Sequence, residues 1–286
     1  MLRFSAALLA ALLASISAHA TLAVVIPTRD GIVVAADSRM TFMGAHCDGA
    51  FKILIPARPT RTAVIVTGDA IFVQPQDSKD TNPCERLASA PRFLDIGSVV
   101  TDYLERGSPD PANLSLADLA AACVHATERF QQSYPAALRA YAGKDIFSVV
   151  VASYDPVTLS STLRNFVVRM DAQTHLPKAT RFTNTAFSQR DQAGVFIYGE
   201  TAWVSSHVYI GYGRQFLSPP TLDFIHARAP ISQVPLNHAL AAAADLLQAS
   251  IRTAQSVPPP HGIGGAIHMV HLGGNPMAEE VPWSTP

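Results

Sequence analysis

The stretch "TLAVVIPTRDGIVVAADSR" (21–39) constrains the fold more than any other part of the chain. Two apolar, β-branched runs flank "PTRDG", a turn sequence with Pro and Gly, so the segment reads as a hairpin. Its strands are apolar on both faces and must be covered from both sides. "FKILI" (51–55) and "TAVIVTG" (62–68) form a second such pair around "PARPTR", and a polar stretch from Gln74 to Asn82 reads as a surface loop.

Helical signals follow. "RFLDIGSVVTDYLERG" carries helical spacing and ends at Gly107, and "SLADLAAACVHATERFQQ" opens on Ser115 as N-cap with Asp118 three residues on. Its residues Leu116, Leu119, Cys123 and Phe130 share one face. Strands are expected at "IFSVVVASY" (146–154), "TLRNFVVRM" (162–170), "GVFIYG" (194–199) and "HVYIGYG" (207–213). A last helix begins at Pro235, with Leu236, Leu240, Leu247 and Ile251 as its stripe, and "AIHMVHL" is a final strand. Strands covered on both faces, in this order with these helices, fit an α+β chain in which two packed sheets lie between helices, an αββα sandwich.

The first twenty residues have a different character. "MLRFSAALLAALLASISAHA" has an early positive charge, an apolar run from Ala6 to Leu13 and a terminal A-x-A. That layout is a secretory signal whose apolar run is too short to span a bilayer. The expected division is therefore a signal peptide, 1–20, and a single domain, 21–286, secreted or periplasmic and free of the membrane once cut. With 48% hydrophobic residues and a formal net charge of −1, the chain can build a full core and has no electrostatic footprint for nucleic acid.

A cut after Ala20 leaves Thr21 with a free amine. A threonine hydroxyl needs a base to become a nucleophile. An α-amine, with an unperturbed pKa of about 7.7–8.0, is partly neutral at neutral pH, and a nearby ammonium raises the neutral fraction. Asp37 ends the second strand of the hairpin and Lys52 opens the next strand pair, so a cation and its carboxylate partner are both at hand.

At this point "TLAVVIPTRDGIVVAADSRMT" resembles the opening of a catalytic β-type proteasome subunit or an HslV-like N-terminal nucleophile hydrolase, in an exported variant. The resemblance is strong over 21–54 and covers most of 21–272. It implies a threonine-type hydrolase that cleaves peptide bonds, with the four-layer αββα fold, Thr21 as nucleophile, Asp37 and Lys52 as its supporting pair, and Gly68 in "VTGDA" as the oxyanion donor. It also implies that Ala50 and Val66 line a small apolar side-chain pocket, that Thr41 pairs its backbone with an extended peptide, and that copies form a homo-oligomeric ring. No cofactor or metal is implied. Substrates are peptides or unfolded proteins, since the sequence has no ATP-binding loop. The chain departs from the family at Pro260 and Ile263 in "PPPHGIGG", and at Tyr212 in "IGYG", where a supporting aspartate and serines are expected. Those departures keep two other readings open: a hydrolase of small amides, and a non-catalytic subunit.

Among the remaining features, Cys47 and Cys84 lie in polar, loop-like sequence and can form a bridge or stay as thiols, whereas Cys123 sits on a helix face. His268 and His271 in "HMVH" are three apart on a strand and point to opposite faces, which speaks against a shared metal. "GIGG" reads as a tight turn, His261 as a solvated turn histidine, and Asn113 as a bare glycosylation sequon.

Overall fold

The computed structural model describes residues 18–19, 21–42, 45–57, 61–73, 82–89, 92–107, 114–227, 229–257, 262–273 and 279–280. Most of the signal reading over 1–20, most of the Gln74 to Asn82 loop, the sequon at Asn113, and Pro260 and His261 lie outside these residues. Among the described residues no helix is long and apolar enough to cross a membrane.

The chain is α+β with several antiparallel sheets. The first sheet has the order β13–β2–β3–β14–β15, with β2 Leu22–Thr28, β3 Gly31–Asp37, β13 Phe196–Gly199, β14 Ile267–Gly273 and β15 Glu279–Glu280. The second has the order β12–β11–β10–β7–β6, with β6 Ile53–Leu54, β7 Thr62–Gly68, β10 Asp145–Asp155, β11 Ser160–Met170 and β12 Pro177–Phe187. A three-stranded sheet joins β1 Ala18–His19, β4 Met40–Phe42 and β5 Ala45–Cys47 in the order β1–β4–β5, and β8 Ile71–Val73 pairs with β9 Arg92–Asp95. The described helices are α1 Pro83–Ser89, α2 Ile96–Gly107, α3 Leu116–Ser133, α4 Thr201–Trp203, α5 Pro219–His226 and α6 Leu236–Ser256.

The doubly apolar strands explain the core. On the β2–β3 hairpin, Leu22, Val24, Ile26, Val33 and Ala35 pack with Ala243, Leu247 and Ile251 of α6. The alternate residues Ala23, Val25, Ile32, Val34 and Ala36 meet Ile65, Val150 and Ala152 of the second sheet. The same alternation recurs there, where Val64, Val149 and Val151 turn toward Ile96, Val100 and Leu104 of α2 and Leu119 and Cys123 of α3. Along β2 and β3, alternate side chains thus bury on opposite elements, which is why their apolar runs carry almost no polar residue. The hairpin closes in register, Thr28 opposite Gly31, with Arg29 and Asp30 exposed at its tip.

Helix α3 starts as its sequence implies: Ser115 is the N-cap and its side chain accepts a hydrogen bond from the Asp118 amide at 3.2 Å. Cys47 and Cys84 form a disulfide that ties β5 to α1, and Cys123 is free and buried. Burial pushes its thiol up to about 12, which makes it inert.

Two expectations are corrected, and one strand has no counterpart in the sequence reading. "RFLD" opens no helix; it is β9, paired with β8, and the helix begins at Ile96. "HVYIGYG" is not a strand: Val204–Tyr209 is a π-helical turn and Tyr212–Phe216 a 3-10 turn. Val204 and Val208, four apart, both bury against the α6 side of the first sheet, a helical spacing hidden in a run too short for periodicity to decide. Strand β12 escaped notice because its middle residues are mostly exposed and polar, as suits the outer strand of a sheet.

Candidate active site

Asp37 organises the site. It ends β3 wholly buried, and its Oδ1 accepts hydrogen bonds from Lys52 Nζ at 2.7 Å and from the Leu22 amide at 2.9 Å. Its Oδ2 accepts from the Gly264 amide at 3.0 Å, in the turn leading into β14. A buried carboxylate with three donors is fully satisfied, and it links Lys52 to the peptide unit that joins Thr21 and Leu22. Burial pulls the Lys52 ammonium below its ordinary pKa, and the charge and hydrogen bond of Asp37 push the other way.

The turn that follows is held with equal care. Ser38 exchanges hydrogen bonds with Ala266, its amide donating to Ala266 O at 2.9 Å and its Oγ accepting from Ala266 N at 2.8 Å. Arg39 pairs with Asp48 through two hydrogen bonds of 2.7 and 3.0 Å. The first contact ties the residue before β14 to the turn before β4, and the second ties that turn to the residue after β5.

Thr21 is buried, 6% exposed, and opens on a cavity of about 350 Å³. Gly68, Ser148, Tyr198, Gly199, Glu200 and Arg181 are among its lining residues. Two glycines let backbone approach here. Gly68 has φ +86° at the end of β7, and a Cβ there would meet Ile146 O at 2.6 Å. Gly199 has φ +87°, and a Cβ would lie only 1.7 Å from Thr21 O. With that space empty, the Glu200 amide donates to Thr21 O at 3.2 Å. Asp69, next to Gly68, is buried and accepts a hydrogen bond from the Tyr141 hydroxyl, while its amide donates to Ile146 O at 2.8 Å. These contacts fix the turn that carries Gly68.

Of the expected catalytic residues, Asp37 and Lys52 meet in one hydrogen bond, Asp37 also accepts from the amide directly after Thr21, and Thr21 and Gly68 line the same cavity. The expected substrate contacts Thr41, Ala50 and Val66 are not among the lining residues of this cavity. Thr41 sits on β4, where its register partner is His19 of β1 and its Oγ1 is 3.3 Å from His46 Nδ1. The Ala50 amide donates to Ser38 O at 2.9 Å, and Val66 is half-buried toward the α2–α3 side. None of the three lines the cavity beside Thr21.

The supporting residue sought in "IGYG" is misplaced. Tyr212 is 60% exposed and takes no part in the cavity. The residues that flank Thr21 are Gly199, Glu200 and Thr201, at the end of β13. Their signal in the sequence is the glycine of "FIYGETAW", where a strand stops and a helix starts. Ile263 is wholly buried in the core around α6. His268 packs against Phe51 with the rings tilted, centroids 4.8 Å apart, and no cluster of metal-binding side chains occurs among the described residues.

No protein-family model and no curated protein matches the chain. Several solved structures resemble it. Anbu from Yersinia bercovieri, described as an ancestral beta-subunit, is 13% identical with a TM-score of 0.49, over 91% of this chain and 86% of that one. The Anbu complex from Pseudomonas aeruginosa, described as a helical assembly, is 15% identical with a TM-score of 0.49 over the same shares. A Gly-1 mutant of Anbu from Hyphomicrobium sp. strain MC1 is 14% identical, TM-score 0.43, over 88% and 81%. The expectation of an exported variant is corrected here: the structures that the chain resembles are of Anbu chains, one of them described as an ancestral beta-subunit, and export has no support from them.

Proposed function

We propose that residues 21–286 form one N-terminal nucleophile hydrolase domain that cleaves peptide bonds by acyl transfer to Thr21, once the bond between Ala20 and Thr21 has been cut. The observation that carries this reading is the shared carboxylate oxygen of Asp37, which binds both Lys52 Nζ and the amide directly after Thr21. It holds a cation beside the residue whose own nitrogen is to act as base.

In the proposed reaction, Thr21 Oγ attacks the substrate carbonyl carbon and its proton passes to the Thr21 amine. The oxyanion of the tetrahedral intermediate is held by Gly68 N–H, a fixed dipole of the kind that often supplies a large share of the acceleration. The C–N bond then breaks, the leaving nitrogen takes the proton from the Thr21 ammonium, and an ester on Oγ remains. Water attacks that ester, gives a proton to the amine, and the amine returns it to Oγ as the acid leaves. Lys52 favours the neutral amine by disfavouring a second positive charge nearby.

A peptide substrate is supported by β1. Ala18 and His19 lie antiparallel to Phe42 and Thr41, so the β4 edge accepts an extended chain immediately before Thr21. Three of the core clusters support the four-layer αββα arrangement: α6, first sheet, second sheet, then α2 and α3. Self-assembly into a ring is the companion proposal, drawn from the sequence resemblance, and sedimentation velocity of the cut protein tests it.

A non-catalytic role is the second reading, favoured by Ile263, an apolar and wholly buried residue where the resemblance calls for a serine. A panel of fluorogenic peptides separates the two. Hydrolysis by the chain beginning at Thr21, and none by Thr21→Ala, supports the enzyme; no turnover by either supports the scaffold.

A further inference from the structure

Thr21 has two unlike flanks. On one lie Asp37 and Lys52, from the end of β3 and the segment before β6. On the other is the cavity, whose charged or titratable lining residues are Asp145 of β10, Arg181 of β12, Tyr198 of β13 and Glu200. Arg181 is matched within the cavity, its Nη2 lying 2.8 Å from Asp145 Oδ2. Tyr198 carries no charge at neutral pH, as for any phenol, and burial pushes it further up, to about 12. Glu200 is then the charge in the cavity without a partner: among the described residues it makes no ion pair. It sits at the N-cap of α4, yet its side chain makes no capping hydrogen bond. Its backbone amide is fastened to the Thr21 carbonyl, so its carboxylate starts one hydrogen bond away from the residue whose amine must be held.

From this placement we infer that Glu200 is a positioning residue: its carboxylate is the counter-charge for the Thr21 α-ammonium, supplying from the end of β13 the acidic support that the turn before β14 lacks. The inference rests on the hydrolase reading and deepens it. The ammonium appears twice in the proposed reaction, each time the amine takes a proton from Oγ or water. A fixed carboxylate stabilises that charge and aims the amine, as the carboxylate of a serine–histidine–aspartate triad does for its imidazolium. Lys52 and Glu200 act in opposition on the amine, the first lowering its pKa and the second raising it. The balance keeps the amine both partly neutral and strong enough as a base.

The test uses the processed full chain beginning at Thr21, as wild type, Glu200→Gln and Glu200→Asp. The α-amine is titrated by the pH dependence of its reductive dimethylation, read by mass spectrometry of the N-terminal peptide. Glu200→Gln should lower the amine pKa by about one pH unit, the size expected on removing a close opposite charge. Glu200→Asp should fall between. The acid limb of the kcat/KM profile should move down by the same amount in Glu200→Gln, with kcat reduced. An unchanged amine pKa in Glu200→Gln overturns the inference. If Glu200→Gln does not fold, as judged by circular dichroism, Glu200→Asp decides, since a merely structural role would leave its amine pKa at the wild-type value. The hydrolase reading fails separately: an inert Thr21 in wild type refutes turnover, while the amine titration still reports on Glu200.

Discussion

Lys52 Nζ lies 2.7 Å from Asp37 Oδ1, and the two side chains are only 4% and 0% exposed. A pair this buried is conditional: removing one partner leaves an uncompensated charge in the interior, whereas removing both leaves none. Lys52→Met should cost about 3–5 kcal/mol in urea unfolding, and Asp37→Asn also loses part of the bonding to Leu22 and Gly264. The double variant should cost clearly less than the sum of the singles. Strict additivity would show that the two side chains do not depend on each other.

The same pair has a pH signature. Lys52 is held below its ordinary pKa chiefly by burial. The folded chain then sheds this proton at lower pH than the unfolded chain does. Between the two values the unfolded state binds more protons, so stability rises with pH there and the cost of burying the ammonium stands in full below. Wild type should therefore gain stability relative to Lys52→Met as alkaline pH is approached. Parallel pH slopes for the two proteins would contradict this.

Gly199 and Gly49 offer a controlled comparison. Both have positive φ, +87° and +89°, but a Cβ at Gly199 would lie 1.7 Å from Thr21 O while one at Gly49 meets nothing within 4 Å. Gly49→Ala should cost about 1 kcal/mol, the conformational term alone. Gly199→Ala should cost well beyond that and abolish activity, because Thr21 has to move. Equal unfolding midpoints for the two variants would show that this close approach places nothing.

The Cys47–Cys84 bridge closes a loop with a sequence separation of 37. On the chain-entropy account its loss costs about 4 kcal/mol, so Cys47→Ser/Cys84→Ser should unfold at a markedly lower urea concentration. Unreduced, denatured wild type should present one alkylatable thiol, Cys123. Three would remove the bridge.

Much of the fold was legible because its signals are local and redundant. The doubly apolar runs at 22–28, 31–37 and 62–68 have one use in a folded chain, and Ser115 caps its helix as the sequence says. Asp37 and Lys52 could be paired on paper because isolated charges in apolar surroundings need partners. What failed was short or polar. The "HVYIGYG" stretch holds only one of the two buried valines four apart, Val208, with Val204 before it, too few to reveal a period, and β12 is an outer strand whose exposed polar residues imitate a loop. Glu200 escaped because nothing in its neighbourhood says where it points; only the pairing of β13 with β2 brings Gly199 opposite Leu22 and so sets Glu200 beside Thr21.

The most direct test is intact-mass analysis of the chain beginning at Thr21 after exposure to a peptide epoxyketone, which reacts with a hydroxyl and a free amine on one residue. One adduct per chain on Thr21 is predicted, lost in Thr21→Ala and strongly slowed in Lys52→Ala. A wild-type mass that does not change, or an adduct that persists in Thr21→Ala, would contradict Thr21 as the nucleophile.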